Sequence, residues 1–124
     1  MNWAGIGAGL LCLAVVLGAF GAHGLREHLD AYSMGVYERA VFYHFVHALG
    51  LLVTPLLVRA GLLSDKVGAL VAWLLVIGVL LFSGSLYVLA ISGARMLGAV
   101  TPFGGLAFIV AWVALAVGLF RGVK

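Results

Sequence analysis

Charge constrains this chain more than any motif does. Its eleven charged residues are Arg26, Glu27, Asp30, Glu38, Arg39, Arg59, Asp65, Lys66, Arg95, Arg121 and Lys124, and they leave uncharged windows at 1–25, 40–58, 67–94 and 96–120. A membrane-spanning helix needs about 20 apolar residues, rising 1.5 Å each across roughly 30 Å of hydrocarbon. All four windows meet that need, the second narrowly. With 65% hydrophobic residues, 9% charged residues and a mean hydropathy of +1.26, the chain carries more apolar surface than a soluble fold of 124 residues hides. The expected fold is therefore all-α: a single-domain integral membrane four-helix bundle over 1–124, with spans near 3–22, 36–58, 67–91 and 102–120.

The first window has no basic n-region and is longer than the apolar core of a secretory signal, so it reads as a retained helix. Cys12 is the single cysteine, which leaves no intrachain disulfide to form. The net charge of +3 comes from basic residues scattered at helix ends, where lipid headgroups account for them. Nucleic acid is not an expected partner. Membrane lipid is.

Along the chain, Gly5, Gly9, Cys12, Val16, Ala19 and His23 recur every three or four residues. They form one helical stripe, read here as a close-packing face with His23 directed inward at its end. Between the first two spans, Leu25, Leu29, Tyr32 and Val36 recur opposite Arg26, Glu27, Asp30 and Ser33, the pattern of a short interfacial helix. The second span gathers Tyr37, Ala40, Tyr43, His44, His47, Leu51 and Thr54 within a sector of about 120°. Pro55 near its end could kink the last turn. In the third span polarity is confined to the second half, at Ser83, Ser85, Tyr87 and Ser92. Thr101 and Pro102 look like an N-cap and first-turn proline, and the fourth span then aligns Gly104, Ala107, Ala111, Ala114 and Gly118 as a small-residue packing seam.

Antiparallel neighbours put the end of span 1, the start of span 2, the end of span 3 and the start of span 4 on one side of the membrane. That side collects His23, Tyr43, His44, His47, Ser83, Ser85, Tyr87, Arg95 and Thr101. Polar groups in hydrocarbon are costly unless they meet one another, so this set is the candidate site, a packed polar cluster or a water-lined cavity. His23 and His47 are expected to share it, near Tyr87 or Arg95, with the glycine-rich run Gly18–Gly24 folding back to bring His23 in.

Four blocks in order carry a family resemblance: G-A-F-G-A-H-G-L at 18–25, Y-H-x-x-H-A-L at 43–49, L-F-S-G-S-L-Y at 81–87 and T-P-F-G-G at 101–105. Through them the chain resembles, over nearly its whole length, the YgdD-type bacterial membrane proteins of unknown function, which have small mitochondrial relatives. The resemblance implies a four-helix membrane domain in the bacterial inner membrane. It supplies no reaction and no cofactor. It also implies that His23 and His47 match the family pattern, whereas the position of His44 is often Gln.

The cluster admits several functional readings. It could fix helix packing through hydrogen bonds worth about 0.6 to 2 kcal/mol each. It could ligate metal or haem, since His44 and His47 stand about 60° apart on one helix and His23 could approach from another, although no H-E-x-x-H or C-x-x-C is present. It could line a proton or small-solute path with Arg95 at its mouth, although no acidic residue lies within a span. The chain could also be an accessory or assembly subunit, or form a homo-oligomer, if the seam of span 4 faced outward. No nucleophile with a paired base can be assembled, so an enzyme is not expected. Arg59, Lys66, Arg121 and Lys124 on the side of the termini outnumber Arg26, Arg39 and Arg95 opposite, which favours both termini inside.

Overall fold

The computed structural model describes residues 1–123; Lys124, one of the basic residues counted for topology, lies outside them. Every regular element among the described residues is helical, and four helices are long and apolar enough to cross a membrane: α1 (Trp3–Leu25), α2 (Ala31–Arg59), α3 (Asp65–Ser92) and α4 (Arg95–Arg121). The protein is an all-α membrane four-helix bundle. Its outward faces carry large apolar side chains, such as Phe42, Leu49, Leu56, Leu80, Ile109 and Val113, where a soluble protein would place charge.

Each helix end has a local cause. Asn2 caps α1 by accepting from the Gly5 N–H at 2.8 Å, and Ser64 caps α3 through the Val67 N–H at 3.3 Å. Asp30 caps α2 through the Ser33 N–H at 2.7 Å. Hydrogen bonds from the Ser33 backbone and side chain hold its carboxyl below the usual carboxylate range. Because the folded value is the lower one, this contribution is present above the unfolded pKa and is lost as pH falls through the folded pKa. Gly61, Gly93 and Gly122 follow α2, α3 and α4 with φ of 78°, 73° and 72°, a positive φ that glycine adopts at least cost.

The separate interfacial helix is not formed. Its periodicity is divided at Asp30 between the π-helical last turn of α1, Gly21–Leu25, and the first two turns of α2, because the Asp30 cap starts a helix at Ala31. The other expected boundaries also shift outward: α2 runs unbroken through Pro55, and α4 opens with a 3₁₀ turn at Arg95–Ala99. Thr101 is consequently not an N-cap. Its hydroxyl turns back to the Leu97 carbonyl at 3.2 Å.

Packing between neighbours rests on glycines that admit a partner's backbone or ring. A Cβ on Gly7 would stand 2.8 Å from the Leu52 nitrogen, and one on Gly21 would enter the Tyr37 ring. With Ala14 they form the buried face of α1 at intervals of seven residues, the repeat of a left-handed helix pair. This corrects the stripe read from the sequence: Gly5, Gly9, Cys12, Val16, Ala19 and His23 all face outward, and Gly9 has nothing near it. On α4, Gly104 packs on the backbone of Leu81 and Phe82, Ala111 is fully buried, and Gly118 meets Leu63 and Val67, with Ala107 and Ala114 half-buried beside them. That seam is turned into the bundle, against α3.

Candidate functional site

The polar side chains of the core are organised by α2, whose buried positions include Tyr37, Ala40, His44, His47 and Thr54. They divide into two groups because His44 and His47 leave the helix toward different neighbours. The first group spans α1, α2 and α3. Tyr37 donates its hydroxyl proton to the Leu17 carbonyl of α1 at 2.5 Å, and its ring meets Tyr87 of α3 edge-on with centroids 5.3 Å apart. The Tyr87 hydroxyl lies 2.8 Å from Nδ1 of His44. Tyr87 donates here, because its phenolic proton then has an acceptor and the neutral imidazole carries its own proton on Nε2. His44 is 1% exposed, and Nε2 is buried without a hydrogen-bond partner. The Leu10 carbonyl of α1 approaches the ring, outside hydrogen-bond geometry.

The second group faces α4. His47 must donate from Nδ1 to the Tyr43 carbonyl at 2.7 Å, since a carbonyl has no proton to give. The ring then stacks on Phe108 at 3.5 Å between centroids and 12° between planes, with Tyr43 nearly parallel to it 5.8 Å away to the side and Trp112 tilted at 5.8 Å. Tyr43 belongs with this aromatic set, tilted against Phe82 at 4.6 Å. An imidazole held in this way is a flat, packed ring with one internal hydrogen bond.

Serine and threonine hydroxyls tie the remaining helix pairs. A π-helical turn at Val79–Ser83 places the Ser83 hydroxyl on the Ala40 carbonyl of α2 at 2.8 Å. Ser85 and Thr101 meet at 2.6 Å between α3 and α4. Each also has a backbone carbonyl of its own helix, Phe82 for Ser85 at 2.9 Å and Leu97 for Thr101 at 3.2 Å. Thr54, farther along the same sector of α2, donates to the Gly50 carbonyl of its own helix at 2.7 Å.

Two expected members are elsewhere. His23 is exposed in the π-helical turn of α1, because that turn continues the helix outward and the glycine-rich run does not fold back. Arg95 is exposed at the start of α4. The three histidines therefore do not converge: one faces α3, one lies against α4 and one is on the surface. Among the described residues no group of three His, Cys, Asp or Glu side chains is placed to hold a metal ion. The structure adds Tyr37 to the candidate set: its spacing, seven residues before His44, places it on the same sector of α2, and its hydroxyl ties that sector to α1.

Comparison with known proteins places this geometry in a family setting. The family described as "Protein of unknown function (DUF423)" matches residues 17–105. A UPF0382 membrane protein of Staphylococcus saprophyticus is 46% identical over 116 residues, covering 94% of both chains. The UPF0382 membrane protein YwdK of Bacillus subtilis is 43% identical, covering 90% of both. A UPF0382 membrane protein of Haemophilus influenzae is 37% identical, covering 92% of this chain and 88% of its own. No solved structure matches the chain.

Proposed function

Since the chain belongs to the DUF423 family, whose description records no function, we propose from its own geometry that it is a non-enzymatic component of the bacterial inner membrane. In this reading the His/Tyr/Ser cluster holds the helices in register. The observation that carries the proposal is that these side chains spend their hydrogen bonds on one another and on backbone carbonyls: Tyr37 on Leu17, Tyr87 on His44, His47 on Tyr43, Ser83 on Ala40 and Ser85 on Thr101. A substrate or metal site needs convergent groups left free for the ligand. Among the fully buried side-chain nitrogens and oxygens of the described residues, only Nε2 of His44 is left over.

A role as accessory subunit draws support from α1, not from the α4 seam. That seam is used internally, whereas α1 turns Gly5, Gly9, Cys12 and Ala19 outward, and small residues let a second helix approach closely. Cys12 is exposed on this stripe and provides a native crosslinking handle. Protein purified from its own membranes is expected to show no haem absorption and no stoichiometric metal. A Cys12-directed crosslinker is expected to trap a second copy or one reproducible membrane partner, and Cys12→Ala to abolish the product. Stoichiometric metal or a Soret band sinks the proposal.

Orientation follows from the basic residues at the two ends, which favour both termini in the cytoplasm and the Asp30 turn outside. In a Cys12→Ala background, a membrane-impermeant maleimide added to whole cells is expected to label Asp30→Cys and not Leu62→Cys. The reverse pattern inverts the assignment.

A further inference from the structure

The ends of α1 and α2 enclose a groove that the helix-locking network does not use. It has a volume of about 210 Å³ and is lined by Gly18 and Gly21 of α1, by Arg26 just beyond the end of α1, and by Tyr37, Glu38 and Val41 of α2. The volume is large beside the ~10–15 Å³ that one water requires. Gly18 and Gly21 present no side chain, which lets Val41 and Tyr37 of α2 come close to α1, and the Tyr37 hydroxyl is already committed to Leu17.

Helix lengths set the depth of this groove in the bilayer. At 1.5 Å per residue, the 29 residues of α2 measure about 43 Å, which exceeds the roughly 30 Å of hydrocarbon by a little over two turns. About 20 residues counted back from Arg59 reach Arg39 and Ala40, so Glu38 stands at the headgroup boundary. The same count from Trp3 reaches Ala22 and puts Arg26 one turn beyond it. The groove thus begins in hydrocarbon at Gly18 and Val41 and opens among headgroups between one cation and one anion.

We infer that this groove binds the headgroup of a zwitterionic phospholipid bearing a primary ammonium, of the phosphatidylethanolamine type. The Arg26 guanidinium takes the phosphate, for which its planar fork of donors is suited. The Glu38 carboxylate accepts hydrogen bonds from the ammonium. Gly18, Gly21 and Val41 receive the first carbons of the acyl chains. A quaternary choline headgroup has no N–H to give Glu38, and a glycerol headgroup carries no positive charge to offset that carboxylate. The occupant comes from the bilayer because Gly18 and Val41, at the inner end of the groove, lie at hydrocarbon depth.

The full chain, delipidated in detergent, is titrated with phosphatidylethanolamine, phosphatidylcholine and phosphatidylglycerol of identical acyl chains and followed by native mass spectrometry. The parent is expected to bind the ethanolamine lipid about tenfold more tightly than either other lipid, which is one charge-assisted hydrogen bond's worth of discrimination. Glu38→Gln is expected to abolish the preference over choline while leaving binding itself. Arg26→Gln is expected to weaken all three lipids. Both side chains are exposed, so thermal unfolding of the variants should match the parent. Equal binding of the three lipids by the parent, an unchanged preference in Glu38→Gln, or variants that alter stability without altering lipid preference each overturn the assignment. Free phosphoethanolamine competing at the lipid's own concentration overturns the membrane source. None of these results bears on whether the polar cluster holds the helices in register, which is read from the unfolding of cluster variants.

Discussion

Gly104→Ala is expected to destabilise the bundle by about 3 kcal/mol or more, at the top of the range for overpacking a close contact. The added Cβ would lie among the backbone nitrogen of Phe82, its Cβ and the carbonyl carbon of Leu81. A backbone cannot rotate aside as a side chain can, so α3 and α4 must separate along the contact. Association of helices in lipid depends on close van der Waals fit, because hydrocarbon surrounds the helix on every side and supplies no hydrophobic drive. Gly9→Ala is the control. It lies on the outer face of α1 with nothing within 4 Å, and alanine is the better helix former, so no loss is expected there. Ala111→Leu, fully buried at the middle of the same α4 seam, should fall between them at about 1 to 3 kcal/mol. Thermal unfolding of the three variants in one detergent ranks them. If Gly104→Ala and Gly9→Ala unfold together with the parent, the α3–α4 contact is not what holds this half of the bundle.

The same comparison shows which parts of the fold were legible in the sequence. Four spans follow from where charge is absent, because burying an ion in hydrocarbon is so costly that charge placement alone marks the helix ends. The inward face of α1 was not legible. This helix is small and apolar on every side, with glycine or alanine on both the 5–9–12–19 stripe and the 7–14–21 stripe. Which stripe is buried depends on what α2 projects toward it, the Leu52 backbone and the Tyr37 ring, and neither is encoded in α1. The α2 start is legible in Asp30, a standard N-cap residue three before Ser33, although the amphipathic spacing runs across it. Within the candidate site, the gathering of polar residues on one face of α2 is a matter of periodicity, and the structure places those residues there. The partition of His44 to Tyr87 and His47 to Phe108 is a matter of rotamers and of what stands opposite, about which spacing is silent.

That partition gives the two histidines unequal weight. His47→Ala removes a 5% exposed ring from its stack on Phe108, beside Tyr43 and Trp112, and leaves a cavity between α2 and α4. Loss of a buried side chain of this size costs about 2 to 4 kcal/mol where the neighbours relax only in part. No cross-helix hydrogen bond offsets it, because the single bond of His47 is to its own helix. His44→Gln is different. A glutamine carbonyl can accept the Tyr87 proton as Nδ1 does, and its amide can turn toward the Leu10 carbonyl, which the Nε2 proton does not reach in bonding geometry. The cost of His44→Gln should therefore stay below about 1 kcal/mol, within the usual range for a single membrane hydrogen bond. His44→Leu leaves the Tyr87 hydroxyl without its acceptor and should cost about 1 to 3 kcal/mol. Part of that loss should be recovered in the double variant with Tyr87→Phe, where no polar group is stranded. Unfolding in a graded series of denaturing detergent is expected to order the variants as parent, His44→Gln, the double variant, His44→Leu and His47→Ala. A His44→Gln protein as unstable as His47→Ala would show that Nε2 holds a partner which glutamine cannot replace, and the leftover nitrogen would then mark a ligand site and not a tolerated vacancy in the network.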